Sequence, residues 1–364
     1  MNRSFNSRIL AIVIALVVLL AAVAAIAYYI ISGDNSIKGF DTTNMKDKIE
    51  KSVDEEKTEK LDGVETIKIK TTCEDIHVIN TDADEVTAKF SGSYTSFLNA
   101  SERSLKVIKN NGSMEIVVDY GEDVNISTFS STLKLDVYVP RRFNGSMIIN
   151  TTSADTKVEE YTLKDFSYTA TSGSLIAPEL TSDNAVTKTT SGDVEVNGSF
   201  SSFAFGATSG QFTSERLNAE KAELETTSGD VEVNGSISNL TLGSTSGQLR
   251  SNGLEAKNTE LQTTSGNIKL AGDLGNVSAS STSGEIKLEY DRFDYEVNAS
   301  TTSGEVTLIL PETSELAYSY KTSSGDVDCA FTNARKTDRD AAKKAGEGLI
   351  KVSTISGSLS IDKK

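Results

Sequence analysis

Side chains able to do acid–base, nucleophilic or metal chemistry are few in this sequence, and they are scattered. There is one histidine, His77, and two cysteines, Cys73 and Cys329. A zinc centre or a catalytic pair needs several such groups converging on one point. His77 lies in the alternating run Ile76-His77-Val78-Ile79, which reads as a strand with the imidazole on its exposed face. No serine of the recurring Thr-Ser-Gly triplets has a histidine near it in the chain. Cys73 falls within Thr71-Thr72-Cys73-Glu74-Asp75, a variant of the triplet with Cys in the Ser place, and Cys329 takes an inward position late in the repeats. A disulfide needs Cα atoms within about 7 Å. Near opposite ends of a repeat array the two cannot meet, so both are expected as buried free thiols. Carboxylates are abundant, but calcium takes six to eight oxygens, usually from one dense loop. Neither an EF-hand loop nor the nonapeptide of repeat toxins occurs. The sequence therefore assigns no catalytic, cofactor-binding or metal-ligating residue, and it calls for no cofactor.

Charge narrows the partners. With 52 Asp and Glu against 36 Lys and Arg, the formal net charge is −16. Nucleic-acid binding needs a basic patch, so nucleic acid is excluded, and a bare anionic membrane surface would repel the chain.

The elements that hold these residues are short and periodic. From Val64 the chain runs in alternating segments such as Thr66-Ile67-Lys68-Ile69 and Glu115-Ile116-Val117-Val118, separated by turn residues, the pattern of strands. From about residue 151 it repeats itself. Thr-Ser-Gly ends at Gly173, Gly192, Gly210, Gly229, Gly247, Gly266, Gly284 and Gly304, in steps of 18 to 20 residues. A longer beat of 37 is visible in TTSGDVEVNGS, which occurs at 189–199 and again at 226–236. Two and four residues after the glycine the side chains are mostly apolar, as in Val194/Val196, Val231/Val233 and Ile286/Leu288. Seven and five before it come pairs such as Phe203/Phe205 and Leu240/Leu242. Each period thus carries two strands and two turns. One such unit cannot bury its apolar side alone, and stacking on its neighbours does so. The expected fold is all-β, a right-handed parallel β-solenoid or β-helix of about 18–20-residue coils. Its turn glycines are expected at positive φ, with Thr and Ser stacked in hydroxyl ladders. The first exposed residue after the glycine alternates acid and amide (Asp193, Gln211, Asp230, Gln248, Asn267), which spares the stack from facing like charges. From Gly325 to Gly357 is 32 residues. The surplus, a polar stretch at 334–348 with Arg335, Lys336, Arg339, Lys343 and Lys344, is expected as an insert.

Ahead of the repeats, Arg3 and Arg8 precede an uncharged run that begins at Ile9. Its apolar part, Ile9–Ile31, is long enough for one transmembrane helix, and the flanking charges place the N-terminus in the cytoplasm. A cleaved signal peptide ending at Ala25-Ile26-Ala27 is the competing reading; Tyr28-Tyr29-Ile30-Ile31 extends the apolar run past that cut and favours an anchor. The domain plan is a cytoplasmic tail at 1–8, a signal anchor at 9–32, and a charged stalk at 33–63. The stalk is either a flexible tether or a short helix from Met45 to Leu61. An N-terminal β region at 64–150 caps the solenoid, which occupies 151–364. The expected location is the cell membrane, single-pass, with the C-terminal domain outside the cytoplasm.

The run LKLDVYVP at 133–140, followed by the Thr-Ser-Gly-Asp-Val repeats, resembles the bacterial "putative adhesin" family of β-strand repeat proteins, a domain of unknown function. The resemblance covers residues 64–361. It implies an exported or membrane-anchored protein that adheres or takes part in a cell-envelope stress system, and it brings no catalytic residues. Two classes of function follow. One is a non-catalytic envelope protein whose partners are the membrane through its N-terminal helix and cell-envelope or host polymers or envelope proteins. The alternative is a carbohydrate-active β-helix enzyme acting on an envelope polysaccharide, which would need clustered acids beside a Lys or Arg.

Overall fold

The structure, a computed structural model, describes residues 48–97, 102–121, 132–338 and 342–364. The proposed tail at 1–8, the anchor at 9–32 and the stalk up to residue 47 lie outside the described residues, as does Arg339 of the polar stretch. Among the described residues no helix is long and apolar enough to cross a membrane.

Residues Ile49–Lys364 form one compact unit built entirely of strands that belong to one continuous hydrogen-bonded system. Along the repeats each coil pairs in parallel with the next. Val194 sits beside Phe212, Phe212 beside Val231, Val231 beside Leu249 and Leu249 beside Ile268. Phe203 sits beside Ala222, Ala222 beside Leu240 and Leu240 beside Thr259. The facing expected from the sequence holds through these coils. Val194, Phe212, Val231, Leu249, Ile268, Ile286 and Val306 are all buried, and so are the paired positions Phe203/Phe205, Leu240/Leu242 and Val277/Ala279. Phe200, Phe203, Phe205 and Phe212 pack ring on ring at centroid distances of 5.0–5.5 Å. The fold is a parallel β-solenoid.

The Thr-Ser-Gly turn works differently from the expectation. Its glycines are absent from the positive-φ residues. They are glycine because a Cβ at Gly192, Gly210, Gly229, Gly247, Gly266, Gly284 or Gly304 would strike the carbonyl oxygen of the equivalent glycine one coil away. The hydroxyl that matters lies three residues before the glycine. Thr189, Thr226, Ser244, Thr263, Ser281 and Thr301 each accept the N–H of their own turn's glycine at 2.7–2.9 Å. These hydroxyls close each turn locally in place of a ladder between coils.

The 37-residue beat also has a cause. Asp193, Asp230 and Asn267 each accept, through Oδ1, the backbone N–H of the next coil's residue (Gln211, Gln248 and Glu285) at 2.8–3.0 Å. Asn197 and Asn234 do the same at the opposite corner, accepting from Glu215 and Arg216, and from Asn252 and Gly253. A short acceptor on every second coil ties coils in pairs. Gly198, Gly235 and Gly272, also 37 apart, do take positive φ, at 150°, 126° and 137°.

Chain order and stacking order part company at both ends. The last coil, strands Gly348–Thr354 and Leu359–Lys363, lies between two earlier ones. It pairs with Glu296–Thr301 and Val306–Leu310 on one side, and with Leu316–Lys321 and Val327–Cys329 on the other. The stretch 334–348 is the return that lets the chain double back. Its short strand Arg335–Lys336 pairs with Ala317–Tyr318, so it is part of the fold and no mere insert. At the other end, Thr66–Lys70 lies between Ser113–Asp119 and Ser146–Asn150, and Asp75–Thr81 between Lys134–Pro140 and Thr156–Val158. The N-terminal β region therefore joins the solenoid as well as capping it. Two antiparallel strands close that end: Ser104–Asn110 on Ser113–Asp119, and Glu85–Phe97 on Lys134–Pro140. Beyond them Lys48–Lys60 is a 13-residue strand paired with Glu85–Phe97. It replaces the expected helix from Met45 to Leu61 and shortens the stalk. Its sequence KIEKSVDEEKTEK is dense in charge, which protects an edge strand from further pairing.

Candidate functional site

His77 emerges on the outer face of its strand, one third exposed. Its Nδ1 is 4.0 Å from Asp136 Oδ1 and its Nε2 is 3.5 Å from Glu159 Oε1. The flanking strands put these carboxylates there, since His77 sits opposite Asp136 on one side and Lys157 on the other. No nucleophile joins the group, and no cluster of three or more His, Cys, Asp or Glu able to hold a metal occurs among the described residues.

Both cysteines are free, and both are half-buried where full burial was expected. Cys73 neighbours the most deeply buried ion pair. Arg103 Nη1 donates to Glu74 Oε1 at 3.0 Å, with side-chain exposures of 5% and 0%. The Arg103 guanidinium lies 4.6 Å from the Tyr94 ring centroid and 5.1 Å from that of Tyr120, and the Tyr120 hydroxyl donates to Glu74. Burial, and then the Glu74 carboxylate, push the Cys73 thiol up, which disfavours the reactive thiolate. The cluster fastens the turn at 71–74 to the antiparallel closing strands. Cys329 lies in the terminal coil, where Val327 too is only half-buried. Position two after the glycine is buried in the coils above, but here no further coil covers it.

Carboxylates near cations occur as separate pairs. Arg292 Nη2 lies 3.1 Å from Asp273 Oδ2, Lys351 Nζ 3.0 Å from Glu296 Oε1, and Arg335 Nη2 2.7 Å from Glu347 Oε2. The Lys351 ammonium holds the Glu296 carboxyl below its usual range, and Arg335 does the same for Glu347. Each acid is neutralised by its own partner.

The feature that sequence reasoning missed is a polar cleft along the outward face of the second strand stack. Asn239, Asn258 and Asn276 stand in register on adjacent strands. Asn258 Nδ2 donates to Asn239 Oδ1 at 3.1 Å, Asn276 Nδ2 donates to Asn258 Oδ1 at 3.4 Å, and the backbone N–H of Glu296 donates to Asn276 Oδ1 at 3.0 Å. A cavity of about 520 Å³ lies over this ladder. A second, of about 510 Å³, shares Asn258 and Asn276 and reaches Asp273, Arg292 and Tyr295. The signal was available: the step from Gly284 to Gly304 is 20 residues, and it contains YDRFDY at 290–295, the one aromatic run in that part of the repeats.

An acidic, regular β-solenoid with paired coils and no convergent set of reactive groups among its described residues is a repeat protein built on structural turns. The chain belongs to the Toastrack DUF4097 family, whose profile matches residues 64–235 and again 200–362. No curated protein matches it. Among solved structures it is similar to a "putative adhesin" from Bacteroides fragilis NCTC 9343, with 15% identity, a TM-score of 0.41, and coverage of 67% of this chain and 98% of that one. It is similar also to a "putative cell adhesion protein" from Clostridium sporogenes ATCC 15579, with 11% identity, a TM-score of 0.26, and coverage of 86% and 100%. A "putative lipid binding protein" from Parabacteroides distasonis ATCC 8503 follows, with 14% identity, a TM-score of 0.30, and coverage of 88% and 98%. Likeness at these scores carries nothing about ligands.

Proposed function

We propose that this protein is a non-catalytic, membrane-anchored module outside the cytoplasm that binds an extended polymer of the cell envelope or of a host surface. One observation carries the reading: outward side chains recur in register from coil to coil, so the surface offers a linear series of similar contacts. Catalysis needs acid, base or nucleophile held at defined distances, whereas weak contacts repeated along one polymer gain strength by avidity. The run Ile9–Ile31 supplies the anchor. Binding is expected to fall as coils are removed. Deleting residues 189–225 joins Lys188 to Thr226, which is in register with Thr189 one beat earlier, and should give a folded but weaker binder of wall fragments or whole cells. Protease added to wall-stripped cells should digest the β domain; full protection would overturn the topology. Turnover of a glycan, abolished by one point substitution that leaves the fold intact, would end the non-catalytic reading.

A further inference from the structure

The repeat is broken at one corner, and the break builds a surface that no other coil shares. Tyr290 is fully buried, its hydroxyl donating to the Gly275 carbonyl at 3.2 Å, and Phe293 packs edge-on against it with ring centroids 5.0 Å apart. These two rings fix the loop that carries Arg292 and Tyr295 outward. The Arg292 guanidinium lies over the Tyr295 ring, 5.2 Å from its centroid, with Nη2 3.1 Å from Asp273 Oδ2 and in contact with the Tyr295 hydroxyl. Burial and the Asp273 carboxylate push the Tyr295 phenol up, so it stays a neutral donor.

From this corner the two contiguous cavities cross the strands along the amide ladder. Successive strands are about 4.8 Å apart, so the three steps from Asn239 to Glu296 cover about 14 Å. In the ladder Asn258 and Asn276 each spend one N–H and one carbonyl lone pair. Each therefore keeps a second N–H and a second lone pair, locked in orientation by its neighbours. Donors and acceptors thus alternate at fixed places over a length beyond that of a small metabolite, next to an aromatic edge. A hydroxyl group is donor and acceptor at once and matches such an array. The charges lining the cavities are Lys257 and Arg292 against Glu255, Glu260, Asp273 and Glu296, an acidic balance on a chain of net charge −16. That repels a polyanion and leaves a neutral chain unopposed.

We infer that the cleft from Tyr295 to Asn239 is a binding site for a segment of an uncharged glycan chain. The inference rests on the polymer-binding reading above and names its substrate class and its place. The test is titration calorimetry of the detergent-solubilised full-length protein with chitohexaose and cellohexaose, using polygalacturonate as the acidic counterpart. Saturable binding of at least one neutral hexasaccharide is expected. Tyr295→Ala and Asn258→Asp should each weaken it at least tenfold with the melting temperature unchanged, and Glu223→Gln, on the same face but two coils away, should leave it within twofold. The inference is overturned if neither hexasaccharide binds, if polygalacturonate binds in their place, or if both cleft variants bind as well as wild type. If cell or wall binding falls on deletion of 189–225 yet ignores Tyr295→Ala, the polymer reading stands and this cleft is not its site. If the protein binds no cell, wall fragment or glycan, the polymer reading falls with it.

Discussion

The coils between Thr189 and Leu310 and the coils at the two ends obey different rules. In the middle, each coil rests on the one made just before it, and its contacts are copies of its neighbours' contacts. At the ends, a coil rests on one made later. Leu316–Lys321 and Val327–Cys329 lie against Gly348–Thr354 and Leu359–Lys363, while Thr66–Lys70 is held between Ser113–Asp119 and Ser146–Asn150. Middle coils are exchangeable parts in a nearly one-dimensional stack. The end coils are unique and depend on distant segments of chain.

The sharpest way to break this comparison is to remove whole coils. Ending the chain after Glu347 should expose residues 311–347 to protease, because the ladder that supports them is gone. Deleting 189–225, a longer cut, should keep one cooperative unfolding transition. Circular dichroism melts and limited proteolysis of the two variants decide it, and equal damage from both would refute the distinction. Next comes buried charge. Val231→Asp places an unpaired carboxylate in a fully buried position and should cost about 4 kcal/mol. Val327→Asp, at the equivalent position of the half-open terminal coil, should cost about 1 kcal/mol, and Glu232→Lys should stay within about 0.5 kcal/mol, all read from urea denaturation. Smaller again is the turn. Gly229→Ala should destabilise by about 3 kcal/mol through collision with the Gly210 carbonyl, and Thr226→Ala by about 1 kcal/mol through the lost hydrogen bond to Gly229. Gly206→Ala, with open space around it, should be near neutral. The smallest effect is acid loosening of the C-terminal end. Glu296 and Glu347 have lowered folded-state pKa values, so their contribution is present above the unfolded carboxyl range, near 4.3, and is lost as pH falls through the folded value. Hydrogen exchange in 335–351 should rise on acidification before exchange in 189–250 does, and Glu296→Gln should reduce that difference.

Much of the middle was legible because period and burial coincide there: the apolar residues at positions two and four after each glycine have only one place to go. The turn glycine was placed correctly but for the wrong reason, since a close approach between coils and a positive φ both call for glycine and sequence cannot tell them apart. The 37-residue beat was visible as alternating Asp and Gln without its function as an inter-coil acceptor. The strand Lys48–Lys60 escaped because its charges hide any apolar alternation; it is held by pairing with Glu85–Phe97 and not by burial. The interleaved ends left one mark, the 32-residue interval from Gly325 to Gly357, which reads equally well as an insert. The polar cleft was missed because its asparagines align only when strands are laid side by side in register.

The displaced final coil also sets a timetable. Synthesis runs from the N-terminus, yet residues 316–336 are made before the segment they lie on. They must wait, with strand edges unpaired, until Lys363 has been added and can pair with Leu310. Thr66–Lys70 waits in the same way for Ser146–Asn150. The stack therefore grows outward from its middle, and its last act of folding belongs to the last residues translated.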